Sequence, residues 1–164
     1  MYSRFEYTNR DNFYKVLSKK DPEEVDISKE LERYLKLFGM PVNYTSENNI
    51  TTKYRGYEYE FTIFNDCEEI RVMALFAHCN ARNTEQILQI HKLINEISIH
   101  SSPAVAWLLD DELYSVANMR LDTGTINPND FQYIMKSCDY AIREFSSRSI
   151  FYKSLRECCE LKTY

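Results

Sequence analysis

The side chains able to do chemistry are few in this sequence, and they are scattered. His78 and Cys79 are adjacent where a strand should end, while His91 and His100 stand apart on or just past a helix. A zinc site needs ligands paired at short spacing, so these groups are read as solvated or structurally bonded. Asp110, Asp111 and Glu112 could hold a cation or supply paired carboxylates for acid–base work. Their place at the tip of an expected hairpin favours a solvated turn instead. The stretch from Asp122 to Asp130 is rich in oxygen donors but lacks the D-x-[DN]-x-[DN]-G spacing and the closing Glu of a calcium loop. It reads as a strand exit, a turn at Gly124 and a helix cap. Gly39, Gly56 and Gly124 are the only glycines, too few for a glycine-rich phosphate loop, and no G-x-S-x-G nucleophile motif occurs. The expectation is a non-enzymatic protein with no catalytic residue, metal or cofactor.

The chain has 164 residues, with 44% hydrophobic, 14% aromatic and 27% charged side chains. That is room for one domain with a real core, and enough apolar area to offset the entropy of ordering the chain. Net charge is -5, and no run of Lys or Arg exceeds Lys19-Lys20. Nucleic acid is a poor partner for such a surface, which lacks the clustered positive charge that phosphates attract. The N-terminus has no apolar leader, and no apolar run reaches the about 18 residues that suggest a membrane span, so the protein is expected in the cytoplasm. The cysteines Cys67, Cys79, Cys138, Cys158 and Cys159 are odd in number and none are in C-x-x-C spacing. Reduced thiols follow, with Cys138 in the core.

Residues 1–20 form a polar and aromatic arm of weak periodicity. Asp21-Pro22-Glu23-Glu24 announces a helix by a capping carboxylate, a proline at the first turn and acids favoured by the dipole; Val25, Leu31, Tyr34, Leu35 and Phe38 share a face before Gly39 and Pro41 stop it. From Val42 the period becomes two. A strand lies within Val42 to Tyr54, Tyr57 to Ile63 alternates almost perfectly, and Asn65-Asp66 turns into Glu69 to Ala77. Asn83 with Gln86 starts a second helix, Thr84 to Ser98, whose wide stripe of Ile87, Leu88, Ile90, Leu93, Ile94 and Ile97 predicts deep burial. Pro103 opens a strand through Leu109, paired as a hairpin with Leu113 to Leu121. Asn127-Pro128 caps a helix carrying Phe131, Ile134, Met135, Cys138, Ala141, Ile142 and Phe145. Residues 146–164 form a tail, expected to be helical. The fold class is α+β, an antiparallel sheet of about five strands with helices packed on it, in the order α-β-β-β-α-β-β-α, with the domain at 21–145.

One feature of these strands points to function. Glu58, Glu60 and Thr62 oppose Tyr59, Phe61 and Ile63, so part of the sheet has one wet face, yet Arg71 to Ala77 and Ala104 to Leu109 are apolar on both sides. Something must cover the second face. The cover is either the chain's own arm or tail, or another chain, as a homodimer mate or a protein client, meeting Met73, Leu75, Val105, Trp107, Leu109 and Tyr114. Which parity faces outward stays open. A competing reading is a small enzyme or ligand-binding domain with a pocket between sheet and helices, using His78, Asp110 or Tyr114.

The span from Leu75 to Phe145 resembles the YbjN-like family of bacterial proteins, described as sensory-transduction regulators with the fold of type III secretion chaperones. The features that carry the resemblance are the helix with Ile90, Leu93, Ile94 and Asn95, the strands Val105 to Asp110 and Leu113 to Leu121, and the step Gly124-Thr125-Ile126-Asn127-Pro128-Asn129 into the last helix. The long arm, the tail and the irregular first strand depart from that pattern. The resemblance implies a chaperone-like fold and a dimeric, non-enzymatic protein that binds polypeptides or regulates by binding.

Overall fold

The computed structural model describes residues 26–121 and 125–162. The arm at 1–20, the cap at Asp21-Pro22, and Gly124 lie outside them. The first described helix, α1 (Ile27–Leu37), starts after Asp26, whose carboxylate accepts the N–H groups of Ser28 and Lys29 at 3.1 and 3.3 Å. Leu31, Tyr34 and Leu35 point into the core, and Gly39 leaves the helix at φ +69, a conformation that suits glycine.

Four strands follow: β1 (Asn43–Ser46), β2 (Asn49–Tyr54), β3 (Tyr57–Phe64) and β4 (Glu69–Cys79). The single strand expected within Val42 to Tyr54 is therefore two, paired as a hairpin. β2 and β3 are joined through Arg55 and Gly56, both at positive φ, the backbone of a tight primed turn. Next come α2 (Thr84–His100), β5 (Val105–Leu109), β6 (Glu112–Arg120), α3 (Pro128–Ser149), α4 (Lys153–Cys158) and β7 (Cys159–Leu161). Asp110 and Asp111, at φ 48 and 64, form the two-residue loop between β5 and β6, as the hairpin reading required.

Among the described residues all strand pairs are antiparallel in one sheet, ordered β1-β2-β3-β4-β6-β5, with β7 added to β4; this sheet has seven strands rather than about five. The described helices pack on one face. Phe131 of α3 is the hub, its ring 6.2 Å from Phe61 of β3, 5.8 Å from Tyr34 and 5.5 Å from Phe38, while Phe145 meets Phe76 at 5.3 Å. Asn127 caps α3 by accepting the N–H of Asn129 at 2.9 Å, with Pro128 in the first turn. Asn83 caps α2, accepting the N–H of Gln86 at 2.9 Å, and the Gln86 amide oxygen returns to the N–H of Arg82 at 2.7 Å.

Two further expectations need correction. Ile90, Leu93, Ile94 and Ile97 of α2 are buried, but Ile87 and Leu88 are exposed: the apolar stripe is wider than the face the sheet can cover. Cys79 and Cys159, expected as reduced thiols, form a disulfide between the facing strands β4 and β7. An odd count and absent short spacings exclude a dense framework only; a pair 80 residues apart is visible once register places it. Cys138 is buried, and burial pushes its thiol up to about 11.

Candidate functional site

Strand register decides the parity that the sequence left open. β4 pairs Leu75 with Tyr114 and Met73 with Val116 on β6, and β6 pairs Tyr114 with Trp107 and Val116 with Val105 on β5. Residues directly opposite in a ladder share a face, so Met73, Leu75, Val105, Trp107 and Tyr114 lie together, with Leu109 two residues along from Trp107. The inner face carries Val72, Ala74, Leu113, Ser115 and Ala117, all closed under the helices. All the residues expected at the interface thus fall on the face opposite the helices.

No described element covers that face. Val105, Trp107 and Leu109 are 44%, 48% and 43% exposed, and Met73, Leu75 and Tyr114 are half-buried against one another. Val116, which sequence reasoning missed, sits at the centre and is nearly closed over by its neighbours. The signal was available: it has the parity of Tyr114. Toward β3 the same face turns polar, because Leu75 pairs with Glu58 and Met73 with Glu60. The described part of the tail does not roof the apolar half; its strand β7 lies on the edge of β4.

The edge beyond β5 is partly sealed. The N–H of Ala106 turns away from β6 and donates to the hydroxyl of Ser98 on α2 at 3.1 Å. An edge strand with an occupied donor is a poor template for strand addition, so it is the flat face that is offered.

Beside Tyr114 lies a charged corner. Glu112 accepts the Tyr114 hydroxyl at 2.5 Å and the Lys162 ammonium at 3.2 Å, and pairs in register with His78, which pairs with Glu160. The carboxylate beside it pushes the Tyr114 phenol up to about 12, and the hydrogen bonds from Tyr114 and Lys162 hold Glu112 below the usual carboxylate range. His78 and Tyr114, two of the groups considered for an enzymatic pocket, are thus near each other, with Asp110 at the adjacent hairpin tip. His78 and Asp110 are exposed. A carboxylate already held by a phenol and an ammonium in water stabilises a corner rather than poising a base.

On the other side of the sheet one buried carboxylate is tied down by two arginines. Asp139 of α3 is 3% exposed and accepts Arg55 at 2.5 Å and Arg143 at 3.0 Å, tying the β2–β3 turn to the helix layer. Among the described residues no group of His, Cys, Asp and Glu is placed to hold a metal ion, and no helix is long and apolar enough to cross a membrane.

No family model matches the chain, and neither does any curated protein. Solved structures do. The crystal structure of YbjN from E. coli, a candidate transcription regulator, aligns with a TM-score of 0.56 at 14% identity, covering 76% of this chain and 96% of that one. A structure of the HopA1–SchA chaperone–effector complex aligns over 73% of this chain and 99% of that one, with a TM-score of 0.46 and 10% identity. The fold is α+β, an antiparallel sheet with helices packed against it, similar to that of YbjN.

Proposed function

We propose that this chain is a non-enzymatic, polypeptide-binding domain, chaperone-like or regulatory in the manner of YbjN-like proteins, acting in the cytoplasm. Its binding surface is the open face of β4, β6 and β5, and its occupant is a second copy of the chain or a protein client. The observation that carries the reading is the gathering of Met73, Leu75, Val105, Trp107, Leu109 and Tyr114 on one face with no described element over them. A contiguous apolar patch rimmed by Glu58, Glu60 and Glu112 has the layout of an interface: an aromatic anchor near the centre and charge at the rim. The likeness of fold to YbjN supports the reading without identifying a partner.

The test uses Trp107→Glu. A carboxylate in the middle of an apolar contact costs association heavily, while on a free surface it leaves the fold alone. Light scattering after size exclusion, and capture of partners from the native cell, should show association for the wild type and its loss in the variant, with thermal melting unchanged. A monomeric wild type that captures nothing sinks the reading. So does a variant that unfolds, because Trp107 would then belong to the core.

A further inference from the structure

β4 is longer than its neighbour β3. β3 pairs with Glu69 to Leu75, and beyond that point the same edge of β4 is taken over by β7, with Ala77 facing Leu161, His78 facing Glu160 and Cys79 facing Cys159. The changeover falls at Phe76, where the β4–β6 register shifts; the freed Phe76 carbonyl accepts the N–H of Lys162 at 2.9 Å, and the N–H of Asn80 donates to the carbonyl of Cys158 at 2.7 Å. β7 has 3 residues, and Glu160 and Leu161 are exposed, so little apolar burial keeps it in place. Besides these hydrogen bonds, its covalent tie to β4 is the Cys79–Cys159 disulfide. A third sulfur is close by: the Cys158 thiol lies 3.8 Å from Cys159 Sγ. Cys79 and Cys158 are buried and Cys159 is half-buried, so Cys159 is the sulfur a reagent from solution meets first.

We propose that Cys79, Cys158 and Cys159 form a thiol–disulfide latch that decides whether β7 stays on β4 and, through Lys162 and Glu112, whether Tyr114 is held at the corner of the apolar face. The second consequence rests on the polypeptide-binding reading of that face; the latch itself does not. The latch opens in two ways. A dithiol reductant attacks Cys159 Sγ through a thiolate, and the bond to Cys79 breaks with its electron pair on Cys79 sulfur, which takes up a proton. The reductant's second thiol then displaces Cys159, leaving two protein thiols and an oxidised, cyclic reductant. Alternatively the Cys158 thiolate attacks Cys159 Sγ, giving a Cys158–Cys159 disulfide and a free Cys79 thiol that takes up the proton lost by Cys158, with no net redox change. Burial raises the Cys158 thiol above its ordinary range, which keeps its thiolate scarce and the latch at rest. In a reducing compartment a disulfide is more often a redox sensor than a staple.

The experiment uses the full chain, purified without reductant. Alkylation followed by non-reducing peptide mapping should show the Cys79 peptide joined to the peptide holding Cys158 and Cys159. Hydrogen exchange before and after dithiothreitol should show the Asn80 and Lys162 amides losing protection by an order of magnitude or more, while amides of the β3–β4 ladder keep theirs. Cys159→Ser should reproduce the reduced pattern without reductant, and Cys158→Ser should keep both the cross-link and the protection. Complete alkylation of Cys79 and Cys159 before reduction overturns the latch, as does equal protection in both redox states. Association measured in both states, with Trp107→Glu as reference, separates the ideas. Association that survives Trp107→Glu refutes the face and leaves the exchange result standing, whereas unchanged exchange refutes the latch and leaves the face standing.

Discussion

Val72 and Met73 are neighbours on β4 and live on opposite sides of it. Val72 lies under the helices with no exposure, in a layer shared with Phe61, Ala74 and Ala117; Met73 lies among Val105, Val116 and Leu75 on a face that no described helix covers. Both layers are apolar, and only one is needed to hold the fold. Burial against α1, α2 and α3 explains why the inner layer is greasy. The outer layer has no such explanation inside the described residues, which is why it carries the functional argument.

The largest expected effect lies inside. Phe61→Ala removes a ring packed on Phe131 and leaves a cavity between sheet and α3, which should lower stability by about 3–5 kcal/mol in urea or thermal unfolding. Val105→Ala on the other face deletes two methyl groups from a side chain that is 44% exposed, and should change stability by less than about 0.5 kcal/mol. The contrast is the point of measuring both. A Val105→Ala penalty similar to that of Phe61→Ala would show the outer layer closed within the monomer, and the distinction between the two faces would fail.

An intermediate effect is expected where the helix layer is pinned to the sheet by charge. Asp139→Asn keeps the shape of the side chain but weakens the bonds to Arg55 and Arg143. Hydrogen bonds to charged groups contribute about 1.5–3 kcal/mol, and the loss should sit near the lower end because both arginines are more than half exposed and recover water. Asp139 is on the inner side, so association through the outer face should be unaffected. A variant of normal stability that no longer associates would mean that the helix layer contributes to binding.

How much of this could be read in the residues depended on the range of the interaction. The alternation of Tyr57 to Ile63, the Asn83 and Asn127 caps and the Asp110-Asp111 turn are local patterns, and each appears in the structure where the residues put it. The β1–β2 hairpin was hidden because its turn at Glu47-Asn48 has no glycine and its first strand is exposed throughout. β7 was hidden because Cys-Glu-Leu has no periodicity to read, and it exists only by pairing with β4, far away in sequence. The candidate face was half legible. Two-sided apolar strands signal a second covered layer, but Met73 and Trp107 share a side because β6 pairs Val116 with Met73 and Tyr114 with Trp107, and register of that kind is a tertiary property. The pairing of Glu112, a residue of the acidic turn cluster, with Lys162 is of the same kind, because 50 residues separate them.

The smallest effect sharpens the comparison at the corner where the outer face meets β7. The Tyr114 phenol is raised from its ordinary 10.0 to about 12 by its bond to the Glu112 carboxylate. A group with a raised folded value contributes stability that is complete below its unfolded value and is lost as pH rises through the folded one, here between about pH 10 and 12. Tyr34, raised by burial, and Tyr44, raised by Glu32, reach about 12 as well, so the wild type should weaken over that whole window. Tyr114→Phe removes one contributor. The variant should be slightly less stable than the wild type at neutral pH, and the gap should close as pH climbs from about 10 to 12, because an ionised Tyr114 can no longer donate to Glu112. Urea midpoints measured for both proteins across that range would show it; a gap that stays constant would mean that the Tyr114–Glu112 bond contributes nothing to the folded state. Below neutrality Glu112 gives a second arm: its lowered value contributes stability above its ordinary 4.5 that is lost as pH falls through the folded one. Removing the Tyr114 hydroxyl should shrink that acid-side loss as well, whereas a substitution on the inner face such as Phe61→Ala should leave both slopes unchanged.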